Sequence, residues 1–378
     1  MEILKLISVL SAFLTLVYVF LLLAFMRGWN NLWYFVPAGH TLKTKVSIIV
    51  AARDEEENIR KTLDDLIAQD YPKEFTEIII IDDHSTDNTA QIVREYAGQN
   101  VKLIMLNENQ ALNSYKKKAI QTAIGTCSGD LIVTTDADCR MGKKWLSTVV
   151  ACYEEKGYKM ISSPVAYFQE KSFFENMQSL EFLYLIGLGA STIGNGQSST
   201  CNGANLAYEK KAFYEVGGFQ GIDDLASGDD ELLLHKIAAR YPGQIGFCKN
   251  TDVIVYTHAK ETLSAFIQQR RRWASKTTKY KNKLLVILGA LIWLFNLSIL
   301  ANFLAGWFVP GFMNLVFYQL LVKIVLEALF LWKLTGFAKR RKLLLILPVL
   351  NIFHVLYMVY IGIAGNSGKY NWKGRMVR

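Results

Sequence analysis

Charge is missing from three long stretches of this 378-residue chain: residues 6–26, 284–322 and 343–368 contain no Asp, Glu, Lys or Arg. A helix needs about 20 apolar residues to cross a bilayer core, and each stretch supplies them. The middle run continues to about Trp332 with only Lys323 and Glu327 added, and Pro310-Gly311 divides it into two helices. With 51% hydrophobic residues and 26 scattered glycines, disordered, collagen-like and coiled-coil classes are excluded. Cysteine is scarce. The five residues Cys127, Cys139, Cys152, Cys201 and Cys248 form no Cys-x-x-Cys pair and are odd in number. That pattern fits free thiols in a reducing compartment, not a disulfide framework or a zinc site. Two nucleotide signatures are also absent. No Gly-x-Gly-x-x-Gly follows the first apolar strand, and residues 362–369 have the wrong glycine spacing for a P-loop, with Tyr370 in place of Ser or Thr. His84, His235 and His258 are scattered, and no Ser/His or Cys/His arrangement suggests a covalent nucleophile. His258 reads as a core residue before it reads as a ligand.

The runs that are present divide the chain into an N-terminal anchor (1–28), a polar block (43–283), transmembrane or interfacial helices (284–368) and a basic tail (369–378). The first segment reads as a retained anchor, because Glu2 precedes Lys5 and the bulky Met26-Arg27-Gly28-Trp29 follows where a cleavage site needs small residues. The net charge of +9 sits largely beside the apolar runs, at Lys276, Lys279, Lys281 and Lys283 and at Lys339-Arg340-Arg341-Lys342. The positive-inside rule accounts for it, and nucleic acid is not the expected partner. Within the polar block, short β-rich apolar runs at 46–50, 77–81, 101–105 and 130–135 alternate with helical patterns at 55–69, 88–97 and 116–123. That order implies βαβ units and an α/β fold with a mostly parallel sheet. Ligands of such sheets sit at the carboxyl ends of the strands.

Carboxylates stand at those ends. The second strand runs into Asp82-Asp83-His84-Ser85-Thr86-Asp87 and the fourth into Asp136-Ala137-Asp138. An i, i+2 pair of carboxylates on a loop can face one hard divalent cation, which accepts phosphate oxygens as its other ligands. Asp87 also reads as a helix cap, and the later pair as a plain turn. Further on, Ser227-Gly228-Asp229-Asp230-Glu231 precedes a helical run. First-turn carboxylates suit a helix N-terminus, yet two adjacent acids also suit a general base. Finally, Gln269, Arg272 and Trp273 fall on one face of a basic helix next to the membrane.

Six motifs in order now carry a resemblance: residues 46–59 (VSIIVAARDEEENI), Asp82-Asp83, Asp136-Ala137-Asp138, Cys201-Asn202-Gly203-Ala204-Asn205, Asp229-Asp230 and Gln269-x-x-Arg272-Trp273. The chain resembles membrane-bound family-2 glycosyltransferases of GT-A fold, the group that includes cellulose, hyaluronan and poly-N-acetylglucosamine synthases and lipid glycosyltransferases. The resemblance implies that Ala51, Arg53, Glu55 and Asp83 line the nucleoside pocket and that one of Lys116–Lys118, Lys116 first, reaches the nucleotide. It implies that Asp136 and Asp138 hold ribose and a Mg²⁺ or Mn²⁺ bridging the diphosphate. Asp230 matches the catalytic base, with Asp229 beside it. Gln269, Arg272 and Trp273 match the motif over the diphosphate and acceptor. Ala51 stands where proline is frequent, and Asp54 where asparagine is frequent, which bears on the nucleoside.

The implied activity is inverting transfer from a nucleotide sugar, with a UDP-sugar the first expectation, at the cytoplasmic face of a cell inner membrane. Beside it stand a processive synthase of an exported polymer and a non-catalytic membrane scaffold. At most four spans, with Asn296, Ser298, Asn302, Asn314 and Gln319 as the few polar residues of the longest run, are too few to enclose a hydrated glycan. A lipid or lipid-linked acceptor is therefore expected, with one or a few sugars added. Three spans after a cytoplasmic domain leave Lys369, Lys373, Arg375 and Arg378 outside, against the positive-inside rule. One C-terminal segment is accordingly expected to be interfacial or re-entrant.

Overall fold

The structure, a computed structural model, describes the chain apart from residues 1, 109–111, 113, 226, 277–279, 366–369, 373–374 and 378. Lys279 and the tail residues Lys369, Lys373 and Arg378 lie outside the described residues. Two compact units are present. One is built mainly from Asn30–Gln169 and Leu188–His258, the other from Met1–Trp29, Glu170–Gly187 and Ala259–Met376.

The first of these is a mixed α/β unit. Its elements are β1 (Val46–Ala52), α2 (Ile59–Ile67), β2 (Thr76–Asp82), α3 (Thr89–Arg94), β3 (Val101–Met105), α4 (Tyr115–Thr126) and β4 (Leu131–Asp136). After β5 (Arg140–Met141) and α5 (Trp145–Lys156) come β6 (Met160–Ser162), β7 (Val165–Tyr167), the later part of α6 (Phe173–Gly194), β8 (Leu206–Glu209), α7 (Lys210–Glu215), α8 (Glu231–Arg240), β9 (Ile245–Phe247) and β10 (Val255–Thr257). Seven strands form a sheet in the order β3-β2-β1-β4-β8-β6-β9. β1 pairs in parallel with both β2 and β4, and β8 runs antiparallel to β4 and β6. The first four strands lie where the apolar runs predicted them. β1 and β2 are buried almost throughout, which is why their sequences are continuous rather than alternating. Ser47 is the polar exception in β1: its hydroxyl donates to Glu77 at 2.6 Å and accepts from the Gly129 amide at 2.8 Å.

One boundary differs from the sequence reading. The helix expected over 55–69 begins at Ile59, because residues 54–56 bond to the loop after β2 instead. Thr86 donates its amide to Asp54 at 2.8 Å, and Asn88 donates to Glu56 at 3.0 Å. The Glu55 amide donates to Thr89 at 2.8 Å, and the Glu56 amide donates to Asp87 at 3.0 Å. Side-chain partners of this kind compete with the first helical turn. Asp87 also accepts from the Thr89 amide at 3.0 Å, but the N-cap of α3 is Asn88, one residue beyond the expected one.

In the second unit, α1 (Glu2–Asn31), α10 (Lys283–Gly306), α11 (Gly311–Phe337) and α12 (Leu347–Ala364) are joined by α9 (Leu263–Ser275) and the start of α6. Among the described residues, four helical segments are long and apolar enough to cross a membrane by length and composition, one N-terminal and three C-terminal. The chain breaks at Pro310-Gly311 as expected. Several polar groups among these helices pair with one another. Asn302 donates to Ser11 at 2.9 Å and to Gln319 at 2.8 Å, and Gln319 donates to Ser298 at 3.0 Å. Lys323 pairs with Glu327, which also accepts from Asn351 at 2.9 Å and from Tyr18. The far end of α12 turns back toward α9. Val359 accepts from Trp293 at 3.3 Å, and Gly365 lies so close to Ala274 that a Cβ on it would meet the alanine Cβ at 2.6 Å.

Candidate active site

The carboxyl ends of β1, β2 and β4 gather most of the expected donor-site residues. Ala51 is in register with Ile81 on one side and Asp136 on the other. Arg53, just past β1, donates to the Asp83 carbonyl at 3.0 Å. Asp83 is buried, and its carboxylate lies 3.0 Å from the His84 ring. Glu55 is held in the turn before α2, where Asn58 donates to its carboxylate at 3.3 Å.

The three consecutive lysines of α4 separate cleanly, because successive helical residues point about 100° apart. Lys118 points out to Glu108 at 3.1 Å. Lys116 donates to Asp136 at 2.8 Å and lies 3.3 Å from Asp229. Burial works against its charge, but Asp136 and Asp229 outweigh that and hold the ammonium above its ordinary range. Lys117 points inward and is 1% exposed.

Asp136, Asp138 and Cys139 each offer one ligand atom, all within 4.8 Å of one another. The Cys139 thiol is fully buried, and burial first, then Asp138 and Asp136, push its pKa up. A neutral thiol is a poor ligand for a hard cation, so the two carboxylates are the donors that suit Mg²⁺ or Mn²⁺. Thr257 donates to the Asp138 carboxylate at 3.3 Å, fixing one of its oxygens.

Of the two readings considered from sequence, the structure shows Asp230 in the first, the helix cap. As the N-cap of α8 it accepts from the Glu231 amide through Oδ1, and its Oδ2 accepts from the Gly203 amide at 3.0 Å. Gly203 is pinned in turn, since Thr134 on β4 donates to its carbonyl at 2.8 Å. A side chain there would touch both acids: an added Cβ comes within 3.3 Å of Asp229 Oδ2, slightly tight, and 3.4 Å of Asp230 Cβ, in ordinary contact. The next asparagine in the motif is structural. Asn205 donates to the Pro164 and Val253 carbonyls at 2.7 Å each, and accepts from Trp145 at 2.9 Å. Glu231, read from sequence as one of the first-turn acids, is buried and accepts from Thr200 at 2.6 Å.

Lys116, Asp136, Asp138, Asp229 and Asp230 thus come together in the α/β unit. Gln269, Arg272 and Trp273 lie on α9 in the other unit. There the residue that sequence reading passed over is Arg270, only 3% exposed. It donates to Glu181 at 2.7 Å and to Gln269 at 2.8 Å, and its guanidinium lies 4.3 Å from the Trp273 ring centre. Trp273 also stacks with Phe182. This arginine is a buried hub and not part of a solvated basic face.

Residues 47–217 match the Glycosyl transferase family 2 description. The chain carries a family-2 glycosyltransferase domain. It is 30% identical over 122 residues to glycosyltransferase AglE of Haloferax volcanii, covering 32% of this chain and 40% of that protein. To the β-monoglucosyldiacylglycerol synthase of a Nostoc species it is 26% identical over 235 residues, 61% of this chain and 48% of the synthase. The chain therefore spans about half or less of the length of these two relatives. Among solved structures, a mannosyltransferase from Pyrobaculum calidifontis, PcManGT, in complex with GDP-Man and Mn²⁺, superposes with a TM-score of 0.57 at 20% identity. That likeness covers 93% of this chain and 99% of PcManGT, and it places the fold in the GT-A class.

Proposed function

We propose that this family-2 domain transfers a sugar, with inversion, from a nucleoside-diphosphate sugar to a lipid or lipid-linked acceptor at a membrane surface. The observation that carries the reading is the cluster at the end of β4: Asp136 and Asp138 beside Lys116, which reaches Asp229, next to Asp230. An inverting transfer needs a base for the acceptor hydroxyl and positive charge for the departing diphosphate. Asp230, with Oδ2 fixed by the Gly203 amide, is the base. Lys116 supplies charge to the diphosphate once a donor competes for Asp136. Bound through Asp136 and Asp138, Mg²⁺ or Mn²⁺ would neutralise the leaving diphosphate. Ala51, Arg53, Glu55 and Asp83 are assigned to the nucleoside end, and Gln269, Arg272 and Trp273 to the diphosphate and acceptor end. The mannosyltransferase of similar fold was solved with GDP-Man, so the donor panel includes GDP-mannose beside UDP-sugars.

The lipid acceptor is favoured over an extruded polymer by the long helices. Ser11, Ser298, Asn302 and Gln319 hydrogen-bond among themselves, as do Lys323, Glu327 and Asn351. Groups that satisfy each other do not line a wet path for a glycan. The Nostoc relative is named for a glycolipid product, which supports the same choice. The basic residues Lys281, Lys283 and Lys339–Lys342 support a catalytic face on the cytoplasmic side of an inner membrane. The return of Gly365 to α9 supports an interfacial or re-entrant α12, with the tail on that same side. The test is mass spectrometry of lipid extracts after purified protein is given membrane lipids, Mn²⁺ and each donor in turn. A lipid heavier by one sugar supports the reading, and absence of any glycosylated lipid with every donor refutes it.

A further inference from the structure

The Lys117 ammonium is enclosed by three backbone carbonyls of one loop. It donates to Ile222 at 2.6 Å, to Leu225 at 2.7 Å and to Ser227 at 2.7 Å. That loop leads through Gly228 directly into Asp229 and Asp230. All three donors of the ammonium are used, and no carboxylate is among the three acceptors. Burial lowers the Lys117 pKa to about 8, although Asp229, Asp230, Asp224 and Asp223 pull it upward. Burying an ammonium is costly even when backbone carbonyls satisfy its donors, so a residue of this kind needs a reason. The loop supplies one. Its described residues have little regular structure of their own, and Gly228 takes a positive φ of 85° on the way into α8.

We propose that Lys117 is a positioning residue for the catalytic acids: it fixes the backbone at Ile222, Leu225 and Ser227, and through them the place of Asp230. The neighbouring lysine makes the arrangement specific. Lys116 holds Asp136 and Asp229 from outside the loop, while Lys117, one residue on, pins the loop from beneath. The first turn of α4 thereby joins the donor side of the site to the base side. The inference rests on the assignment of Asp230 as base, and the experiment separates the two.

Lys117→Met keeps the length of the side chain and removes its three donors, and Lys117→Gln is the second variant. Whichever binds UDP in Mn²⁺ with wild-type affinity is carried forward. Positioning predicts a kcat at least 10-fold lower with the donor KM within about 3-fold of wild type. Faster amide hydrogen exchange should be confined to residues 222–230, and Lys117→Arg should restore most of the rate. Wild-type kcat with unchanged exchange in that segment overturns the proposal. So does loss of UDP affinity in both variants with exchange raised throughout the α/β unit, because Lys117 would then support the whole fold. An active Asp230→Asn variant would remove the base assignment but leave the exchange result standing.

Discussion

The Lys116 ammonium sits 2.8 Å from the Asp136 carboxylate, where a divalent cation on Asp136 and Asp138 would compete with it. The same ammonium is 3.3 Å from Asp229, so it holds two carboxylates that would otherwise face each other as like charges. Lys116→Met should therefore strengthen binding of Mn²⁺ alone while weakening binding of the nucleoside diphosphate. Calorimetric titration with Mn²⁺ and then with UDP checks both signs. Parallel losses would contradict the competition.

Asp138 is the more exclusive of the two proposed cation ligands, since among the described contacts its carboxylate has no lysine partner. Asp138→Asn offers the cation a neutral amide oxygen, a poorer ligand for a hard ion. UDP affinity in Mn²⁺ should fall at least about 10-fold, and affinity in EDTA should stay unchanged. Equal affinity of variant and wild type in Mn²⁺ would remove Asp138 from the site.

At the opposite end of the sheet, Glu77 gives a pH dependence of stability. Burial alone would raise its pKa, but hydrogen bonds from Ser47, Lys102 and Ser128 outweigh burial and hold it at about 2. A carboxyl depressed in the folded state stabilises above its unfolded pKa, near 4.3. That contribution disappears as pH falls from there through about 2. Glu77→Gln should thus lower Tm at pH 7, with the gap to wild type closing toward pH 2. A gap that is constant over this range would contradict the assignment.

Gly203 tests the packing beneath the acids. Gly203→Ala sets a Cβ 3.3 Å from Asp229 Oδ2 and in van der Waals contact with Asp230, so the Asp229 carboxylate must give slightly while the fold is little strained. The rate should fall more than the stability suggests, with kcat down and UDP affinity retained. Wild-type kcat would show that the acids tolerate displacement.

Much of this was legible in sequence for identifiable reasons. β1 and β2 were readable because strands buried on both faces carry unbroken apolar runs, and the break at Pro310-Gly311 because proline ends a helix from outside. The start of α2 was not, since the partners of Asp54, Glu55 and Glu56 lie some thirty residues away, on the loop after β2. Lys116–Lys118 look alike as a basic run, and only the helical step sends one to Asp136, one inward and one to Glu108. Arg270 was hidden in the same way. Its partner Glu181 is far off in the chain, and no local pattern marks a buried arginine inside a basic helix.

The ion pair among the long helices is a separate matter of stability. Lys323 is fully buried, and its partner Glu327 nearly so. Lys323→Met leaves that carboxylate without its cation, a change that costs about 3–5 kcal/mol when a buried pair is broken from one side. Lys323→Met with Glu327→Leu removes both charges and should recover most of the loss. Thermal unfolding of the three proteins in detergent checks this, and a double variant less stable than the single one would contradict it.

The central claim is transfer of a sugar to a lipid with Asp230 as base, and one measurement reaches it directly. Wild-type protein and Asp230→Asn are each given Mn²⁺, a donor sugar and membrane lipids, and the organic extract is followed by mass spectrometry alongside UDP affinity. The account predicts a short glycolipid from wild type, a rate lower by about 10²-fold or more in Asp230→Asn, and equal UDP affinity in the two. A high-molecular-weight or insoluble glycan made by this chain alone, or an Asp230→Asn variant of undiminished rate, would contradict it.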